Sequence, residues 1–169
     1  LIPTFDVALA NKIDPKRVDW NDIWLASRKL DGVRCLTIVD YHGNVKSYSR
    51  VGNEFETLQV VKDAIKKLGV IGVVFDGEIC LMDENGNEDF QGIMKQIKRK
   101  NHTITNPKYV MFDYLTLNEF NAKESEATLT MRIARFGKHI LHLENNSCLS
   151  VLDQHVVSGD DHFAKLKAD

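Results

Sequence analysis

A six-residue polar segment, 29–34 (Lys-Leu-Asp-Gly-Val-Arg), lies between two apolar runs that have the composition of β-strands. The upstream run covers 23–26 and the downstream run covers 35–39, and both are aliphatic and partly β-branched. Glycine at position 32 lets the backbone turn and approach a ligand that any side chain would obstruct. The pattern predicts two strands with a single lysine, Lys29, near a strand end.

Lys29 is a candidate covalent nucleophile. An amine attacks phosphorus only when it is unprotonated, and lysine, unlike arginine, can be brought to that state by desolvation and nearby positive charge. Arg34 and a bound divalent cation would supply that charge, and Asp31 would orient the lysine or a ribose hydroxyl. The alternative is that Lys29, Asp31 and Arg34 form a solvated strand end, because Lys, Asp and Gly are common in turns.

Three further segments place polar residues in or after strand-like runs. Ser49, Arg50 and Gly52 directly follow a predicted strand, 73–79 is an apolar run that contains Asp-Gly-Glu, and 109–115 is an apolar run with Phe before Asp. Together with 29–34, these segments resemble the motifs of the ATP-dependent DNA ligases in order and separation. Those ligases belong to the covalent nucleotidyltransferase superfamily, which also contains RNA ligases and mRNA capping enzymes.

The resemblance extends over residues 3 to about 132 and favours DNA as the substrate. RNA ligases of this fold more often carry asparagine at the position of Arg34. In the family, a lysine attacks the α-phosphate of ATP and becomes lysyl-AMP. AMP then moves to a DNA 5′-phosphate, and a neighbouring 3′-hydroxyl displaces it and seals the nick. The expected cofactors are therefore ATP and Mg²⁺, and the expected partner is nicked double-stranded DNA.

The resemblance also implies roles for individual residues. Positioning and charge neutralisation carry phosphoryl transfer, so the expected site consists of cations, a carboxylate and an aromatic ring. By resemblance, the nucleophile is Lys29, the nucleotide-binding residues are Arg34, Asp31, Glu78, Phe112 and Ser27, the residue that clamps the DNA phosphate is Arg50, and the metal ligand is Glu78.

Several of these residues have an alternative structural interpretation. Arg50 could be a surface residue, Glu78 a salt-bridge partner, and Phe112 a core residue of a buried strand. Asp76 and Asp113 could be turn residues or could support a ligand, and we assign neither of them a catalytic role.

Periodic spacing of apolar residues predicts the remaining elements. We expect a hairpin turn at 41–44 between strands 35–40 and 45–49, and helices over 57–68 and 130–143. Glycine at position 69 ends the first of these helices. Strands, a crossover helix and further strands predict an α+β fold with a mainly antiparallel sheet and packed helices. This arrangement resembles the nucleotidyltransferase (DNA ligase/mRNA capping) fold, and the resemblance implies that the fold is incomplete at its C-terminus.

Charge indicates that any contact with nucleic acid is local. The 169-residue chain is 43% hydrophobic, which is enough for one substantial core, and its formal charge is −2. The strongest basic cluster comprises Lys95, Lys98, Arg99, Lys100 and His102, on a helix expected to start near Asp89. Such a cluster is either a solvated helix face or a contact with DNA phosphates.

The three cysteines lack the spacing of a zinc site and predict reduced thiols in a cytosolic protein. No apolar run reaches the ~20 residues of a membrane span, and no signal peptide is visible. We therefore expect a cytoplasmic protein with no membrane partner, and the sequence does not predict its oligomeric state.

Two departures from the family pattern matter. Many ligases carry Glu or Gln two positions before the nucleophile to bond the adenine amino group, whereas this chain has the shorter Ser27. The later family motifs, Glu-Gly before a strand and then Lys-x-Lys, do not occur. The terminal 165–167 (Lys-Leu-Lys) lies instead in a helix-like stretch after Asp160.

We therefore expect residues 1–169 to be the N-terminal part of a ligase adenylation domain, truncated before the Glu-Gly motif. The chain alone should fold but should not seal nicks. Two alternatives stay open: an inactive or regulatory nucleotide-binding relative, and an RNA ligase or capping-type nucleotidyltransferase.

Overall fold

The computed structural model describes residues 7–140 and 147–168, and its chain divides into two compact units. The larger unit comprises Leu30–Val151, and the smaller comprises Val7–Lys29 with Leu152–Asp169. The larger unit contains β2 (Val33–Val39), β3 (Val45–Tyr48), α1 (Gln59–Lys67), β4 (Val73–Cys80), α2 (Phe90–Gln96), β5 (Lys108–Thr116), α3 (Leu117–Ala122), α4 (Leu129–Ile140) and β6 (Leu149–Val151). The smaller contains a 3-10 turn (Pro15–Arg17), β1 (Trp24–Ser27), β7 (Gln154–Val157) and α5 (Asp160–Ala168).

The larger unit is built on a five-stranded sheet in the order β3-β2-β4-β5-β6. All neighbouring strands are antiparallel except β5 and β6, which are parallel. Cys35 and Val39 of β2 lie in the core with Val33 packed against it, and residues of β4, β5 and the helices complete it. The largest fully buried side chains in this core include Phe75, Ile79, Tyr109, Met111, Leu58 and Ile65.

The predicted hairpin and first helix are confirmed. Gly43 has a φ of 80°, the left-handed conformation that the turn between β2 and β3 requires. Helix α1 buries Val61 and Ile65 and is followed by Gly69 with a φ of 67°. The helix begins two residues later than predicted, at Gln59, because Leu58 has a non-helical backbone at the N-cap.

The later helices are fixed mainly by local caps. The carboxylate of Asp89 accepts a hydrogen bond from the Gly92 N–H at 2.9 Å and starts α2. Helix α3 begins with a capping box between Thr116 and Glu119. The predicted helix at 130–143 corresponds to α4, and its residues 141–143 lie outside the described residues.

The smaller unit is a two-stranded antiparallel ribbon with one helix. Strand β1 pairs with β7 in a register that sets Trp24 opposite Val157. The Trp20 and Phe163 rings lie 5.9 Å apart and link the segment before β1 to α5. Helix α5 contains residues 165–167, so the terminal Lys-x-Lys lies on a helix, as predicted.

The α+β prediction with a mainly antiparallel sheet is confirmed, but one local prediction is wrong. The basic cluster was expected on a helix, yet α2 ends at Gln96, so only Lys95 lies within it. Cys35, Cys80 and Cys148 are free cysteines, and burial raises the pKa of the Cys35 thiol to about 12. None of the described helices has the length and apolarity needed to cross a bilayer.

Candidate active site

Three neighbouring strands bring most of the predicted nucleotide-binding residues to one face of the larger sheet. Arg34 of β2 lies opposite Glu78 of β4, and Glu78 lies opposite Val110 of β5. Directly opposed residues of antiparallel strands share a face, and every second residue along a strand returns to it. The face therefore includes Arg34, Glu78 and Asp76, with Phe112 two positions beyond Val110.

A β-bulge gives Phe112 its position. The register pairs Asp76 with Asp113 and Gly77 with Met111, so Phe112 is the extra residue of β5 and has no partner on β4. A bulge bends its strand and redirects the side chain of the extra residue. The ring of Phe112 is half-buried and lies under the guanidinium of Arg34, with 4.9 Å between Cζ and the ring centroid. This is the geometry of a cation–π contact.

The guanidinium of Arg34 is held by both oxygens of Asp76. Arg34 Nε donates to Asp76 Oδ1 at 2.6 Å, and Nη2 donates to Oδ2 at 2.6 Å. Burial alone would lower the pKa of Arg34, but the hydrogen bond and charge of Asp76, with the charge of Glu78, raise it above its usual value. Arg34 is therefore a fixed cation whose position is set by a carboxylate and an aromatic ring.

Two glycines of the predicted motifs are required by close approach of neighbouring groups. A Cβ on Gly32 would collide with the carbonyl oxygen of Ile79 and would lie 2.8 Å from Cys80 Sγ. A Cβ on Gly77 would lie 2.7 Å from the Tyr109 ring and 2.5 Å from the Val110 carbonyl oxygen. Both glycines therefore allow tight packing within the sheet that carries the candidate site.

A second carboxylate fixes the turn that follows Lys29. Glu88 Oε2 accepts a hydrogen bond from the backbone N–H of Asp31 at 3.1 Å. Glu88 directly precedes the N-cap of α2, so the start of this helix is tied to the turn. The side chain of Asp31 itself is exposed.

Arg50 lies in a tight turn at the end of β3. The Gly52 N–H donates to the Ser49 carbonyl at 2.9 Å, and Gly52 has a φ of 87°. Ser49 Oγ also accepts from the Asn53 N–H at 3.1 Å, which closes the loop. Serine and glycine of the second motif thus build the turn, and Arg50 is exposed on it.

Ser27 and Lys29 belong to the smaller unit. Ser27 is the last residue of β1 and lies opposite Gln154 of β7. Lys29 follows two residues later, and both side chains are exposed. The larger unit begins at the next residue, Leu30. Arg34, Glu78, Phe112, Asp31 and Arg50 all lie in the larger unit.

The sequence model described as "ATP dependent DNA ligase domain" matches residues 9–167. The chain belongs to this ligase family. Among curated proteins, the multifunctional non-homologous end joining protein LigD of Pseudomonas aeruginosa is 32% identical over 91 residues. Those residues are 53% of this chain and 10% of LigD.

Solved structures confirm the fold of this ligase domain. The structure named Pmar-Lig_Pre is 25% identical with a TM-score of 0.76, over 86% of this chain and 35% of that one. The ATP-dependent DNA ligase of bacteriophage T7, in complex with ATP, is 17% identical with a TM-score of 0.65, over 84% of this chain and 51% of the phage enzyme. The chain thus spans about a third to a half of these structures, and at 17% identity the phage enzyme supports the fold alone.

The carboxylates on the site face of the ligase domain could supply one ligand to Mg²⁺ but not a complete set. Asp76 is engaged by Arg34, and Asp113 opposite it is engaged by Arg132. Glu78 is a third carboxylate on the face. Among the described residues, no group of three or more His, Cys, Asp or Glu side chains could hold a metal. Mg²⁺ commonly takes one or two carboxylates together with substrate phosphates, so Glu78 fits the predicted role as a single ligand.

Two residues of the ligase domain position other residues of the site. From the sequence alone, the role of Asp76 stayed open and Glu88 was given no role. Asp76 holds Arg34, and Glu88 holds the backbone of Asp31. A signal for Asp76 was present, because a carboxylate within an apolar strand requires a buried partner. Glu88 lies in a polar loop and gave no such signal.

Proposed function

We propose that this ligase domain is the N-terminal part of the adenylation domain of an ATP-dependent DNA ligase. In this proposal, Lys29 becomes covalently linked to AMP, and the AMP is then passed to a DNA 5′-phosphate for nick sealing. The observation that carries the proposal is the fixed guanidinium of Arg34, five residues after Lys29. It is held by Asp76 and Phe112 on the sheet face that also carries Glu78.

The first step is an in-line substitution at phosphorus. The Nζ atom of deprotonated Lys29 forms a bond to the α-phosphorus of ATP, and the bond to pyrophosphate breaks. The proton lost from the ammonium group goes to solvent. Arg34 contributes a fixed positive charge and contacts the nucleotide sugar, and Phe112 offers a ring face to the adenine.

The remaining predicted residues complete this division of labour. Asp31 and Ser27 orient the nucleotide, and the exposed fork of Arg50 clamps the 5′-phosphate of DNA. Glu78 would hold Mg²⁺, which supplies neutralisation of phosphate charge when it is bound.

The proposal is tested by labelling the complete gene product with α-labelled ATP and Mg²⁺. We expect label on Lys29, and none in Lys29→Ala or Lys29→Arg, because a guanidinium cannot be deprotonated under usable conditions. Lys16→Ala, an exposed lysine of the same unit, is the matched control and should be labelled normally.

Persistent labelling of Lys29→Ala would contradict the assignment of the nucleophile. ATP binding without any label would favour a regulatory nucleotide-binding relative. Sealing of nicked RNA but not of nicked DNA would favour an RNA ligase.

A further inference from the structure

Residues 95–100 form an exposed basic segment in a chain that is otherwise acidic. Its four cations are Lys95, Lys98, Arg99 and Lys100, and all are exposed. No Asp or Glu occurs in the sequence between Asp89 and Asp113, although the formal charge of the chain is −2. Within residues 7–140 and 147–168, none of the four cations forms an ion pair with a carboxylate. Binding an anion here therefore breaks no existing ion pair.

The backbone of the basic segment is held in place from both sides. The Thr57 hydroxyl donates to the Ile97 carbonyl at 2.7 Å, and the Ile104 N–H donates to the Thr57 carbonyl at 2.9 Å. Ile97 and Ile104 are buried in the core. His102 Nε2 lies 2.8 Å from Gln96 Oε1. The cations are thus carried by an ordered backbone, which reduces the entropy cost of binding an extended polyanion.

Helix α2 connects this segment to the turn that follows Lys29. Glu88, just before the N-terminus of α2, accepts a hydrogen bond from the Asp31 N–H. The basic segment begins in the last turn of the same helix. The seven residues of α2 span about 10 Å. Each base pair adds about 3.4 Å along a duplex, so the segment lies roughly three base pairs from the Asp31 turn.

We propose that the basic segment is a docking surface for the phosphate backbone of duplex DNA beside the nick. Lys98, Arg99 and Lys100 contact phosphates of the duplex roughly three base pairs from the Asp31 turn. The contact is independent of base sequence and contributes to affinity and register on the duplex. The placement beside a nick rests on the proposed ligase function, whereas the binding of duplex DNA by the segment can be tested without it.

The test measures the salt dependence of DNA binding by fluorescence anisotropy, using the wild-type protein and a labelled nicked duplex. The variant is Lys98→Gln/Arg99→Gln/Lys100→Gln. The matched control is Lys62→Gln/Lys66→Gln/Lys67→Gln on α1, which removes the same charge elsewhere in the larger unit. Each lost phosphate contact lowers the slope of log affinity against log salt by about 0.9, so the variant slope should fall by about 3. The control slope should stay near wild type.

An unchanged slope in the variant, an equal fall in the control, or no measurable DNA binding by the wild-type protein would overturn the proposal. A loss of affinity for duplex RNA but not for duplex DNA would overturn it as well. Labelling of Lys29 is recorded in parallel and should be normal in the variant. Failure of wild-type labelling would count against the ligase function, while the slope comparison would still decide the docking surface.

Discussion

Two aspartates lie opposite each other at the bulge of the sheet, and each is held by an arginine. Asp76 of β4 binds Arg34 with two bonds of 2.6 Å, and Asp113 of β5 binds Arg132 with bonds of 2.8 and 2.9 Å. The side-chain exposures are also similar: 21% and 13% for Arg34 and Asp76, and 17% and 20% for Arg132 and Asp113. We call these the β2 pair and the α4 pair, after the elements that supply the arginines.

The two pairs differ in what else the arginine contacts. Arg34 of the β2 pair also lies over the Phe112 ring and opposite Glu78. Arg132 of the α4 pair instead donates to the backbone carbonyl of Ala127. Geometry and burial of an ion pair therefore do not by themselves identify a site. In the proposed function the β2 pair serves nucleotide chemistry, whereas the α4 pair fastens a helix to the sheet.

The largest effect is expected for Arg34→Ala, because it should damage both stability and activity. The substitution leaves the carboxylate of Asp76 largely buried without its partner, which should cost about 3 kcal/mol of unfolding free energy. Loss of a charge-assisted contact with the nucleotide should also slow labelling of Lys29 by about one to two decades. Urea unfolding measures the loss of stability. Labelling at temperatures well below the unfolding transition, where the variant is folded, measures the loss of activity separately. Normal labelling by folded Arg34→Ala would remove the distinction between the pairs.

Arg132→Ala should have a comparable effect on stability and none on labelling. It removes two bonds to Asp113 and one to the Ala127 carbonyl, so the free energy of unfolding should fall by about 2–4 kcal/mol. Labelling of Lys29 should match wild type at temperatures where the variant is folded. A labelling defect as large as that of Arg34→Ala would show that the α4 pair also supports the chemistry.

Local patterns in the sequence predicted elements whose determinants are close together in the chain. The hairpin at Gly43 depends on a few adjacent residues, and α1 depends on apolar residues at helical spacing. The ligase resemblance was also local, because each motif is short and lies in or beside one strand. These predictions succeeded because the decisive interactions span fewer than about 12 residues.

The contacts that distinguish the two pairs could not be predicted in this way. Arg34 and Asp76 are 42 residues apart, and Arg132 and Asp113 are 19 apart. Phe112 reaches Arg34 only because β5 contains a bulge, which depends on the strand register and leaves no periodic signal. The assignment of nucleotide and DNA contacts to Lys29, Ser27, Arg50, Glu78 and their neighbours stays a prediction.

Glu119→Gln should give the smallest effect and sharpen the comparison, because Glu119 holds a second arginine of α4. Its carboxylate accepts from Arg135 at 3.1 Å, the Thr116 N–H at 2.8 Å and Ser125 at 2.9 Å. Partial burial alone would raise the pKa of Glu119, but these hydrogen bonds lower it to about 2. A lowered carboxylate pKa stabilises the fold above the unfolded value, near 4.3, and that contribution is lost as the pH falls towards 2.

Glutamine can keep the capping-box bond but carries no charge. Glu119→Gln should therefore cost about 1–2 kcal/mol at pH 7, and the difference from wild type should shrink progressively between pH 4.5 and 2. Urea unfolding at several pH values measures this difference, with the exposed Glu124→Gln as the matched control and only a small difference expected there. Lys29 labelling at neutral pH should be unaffected. The stability difference between Glu119→Gln and wild type could instead stay constant down to pH 2. The charge of Glu119 would then not hold α4 in place, and the attachment of α4 to the sheet would rest on Arg132.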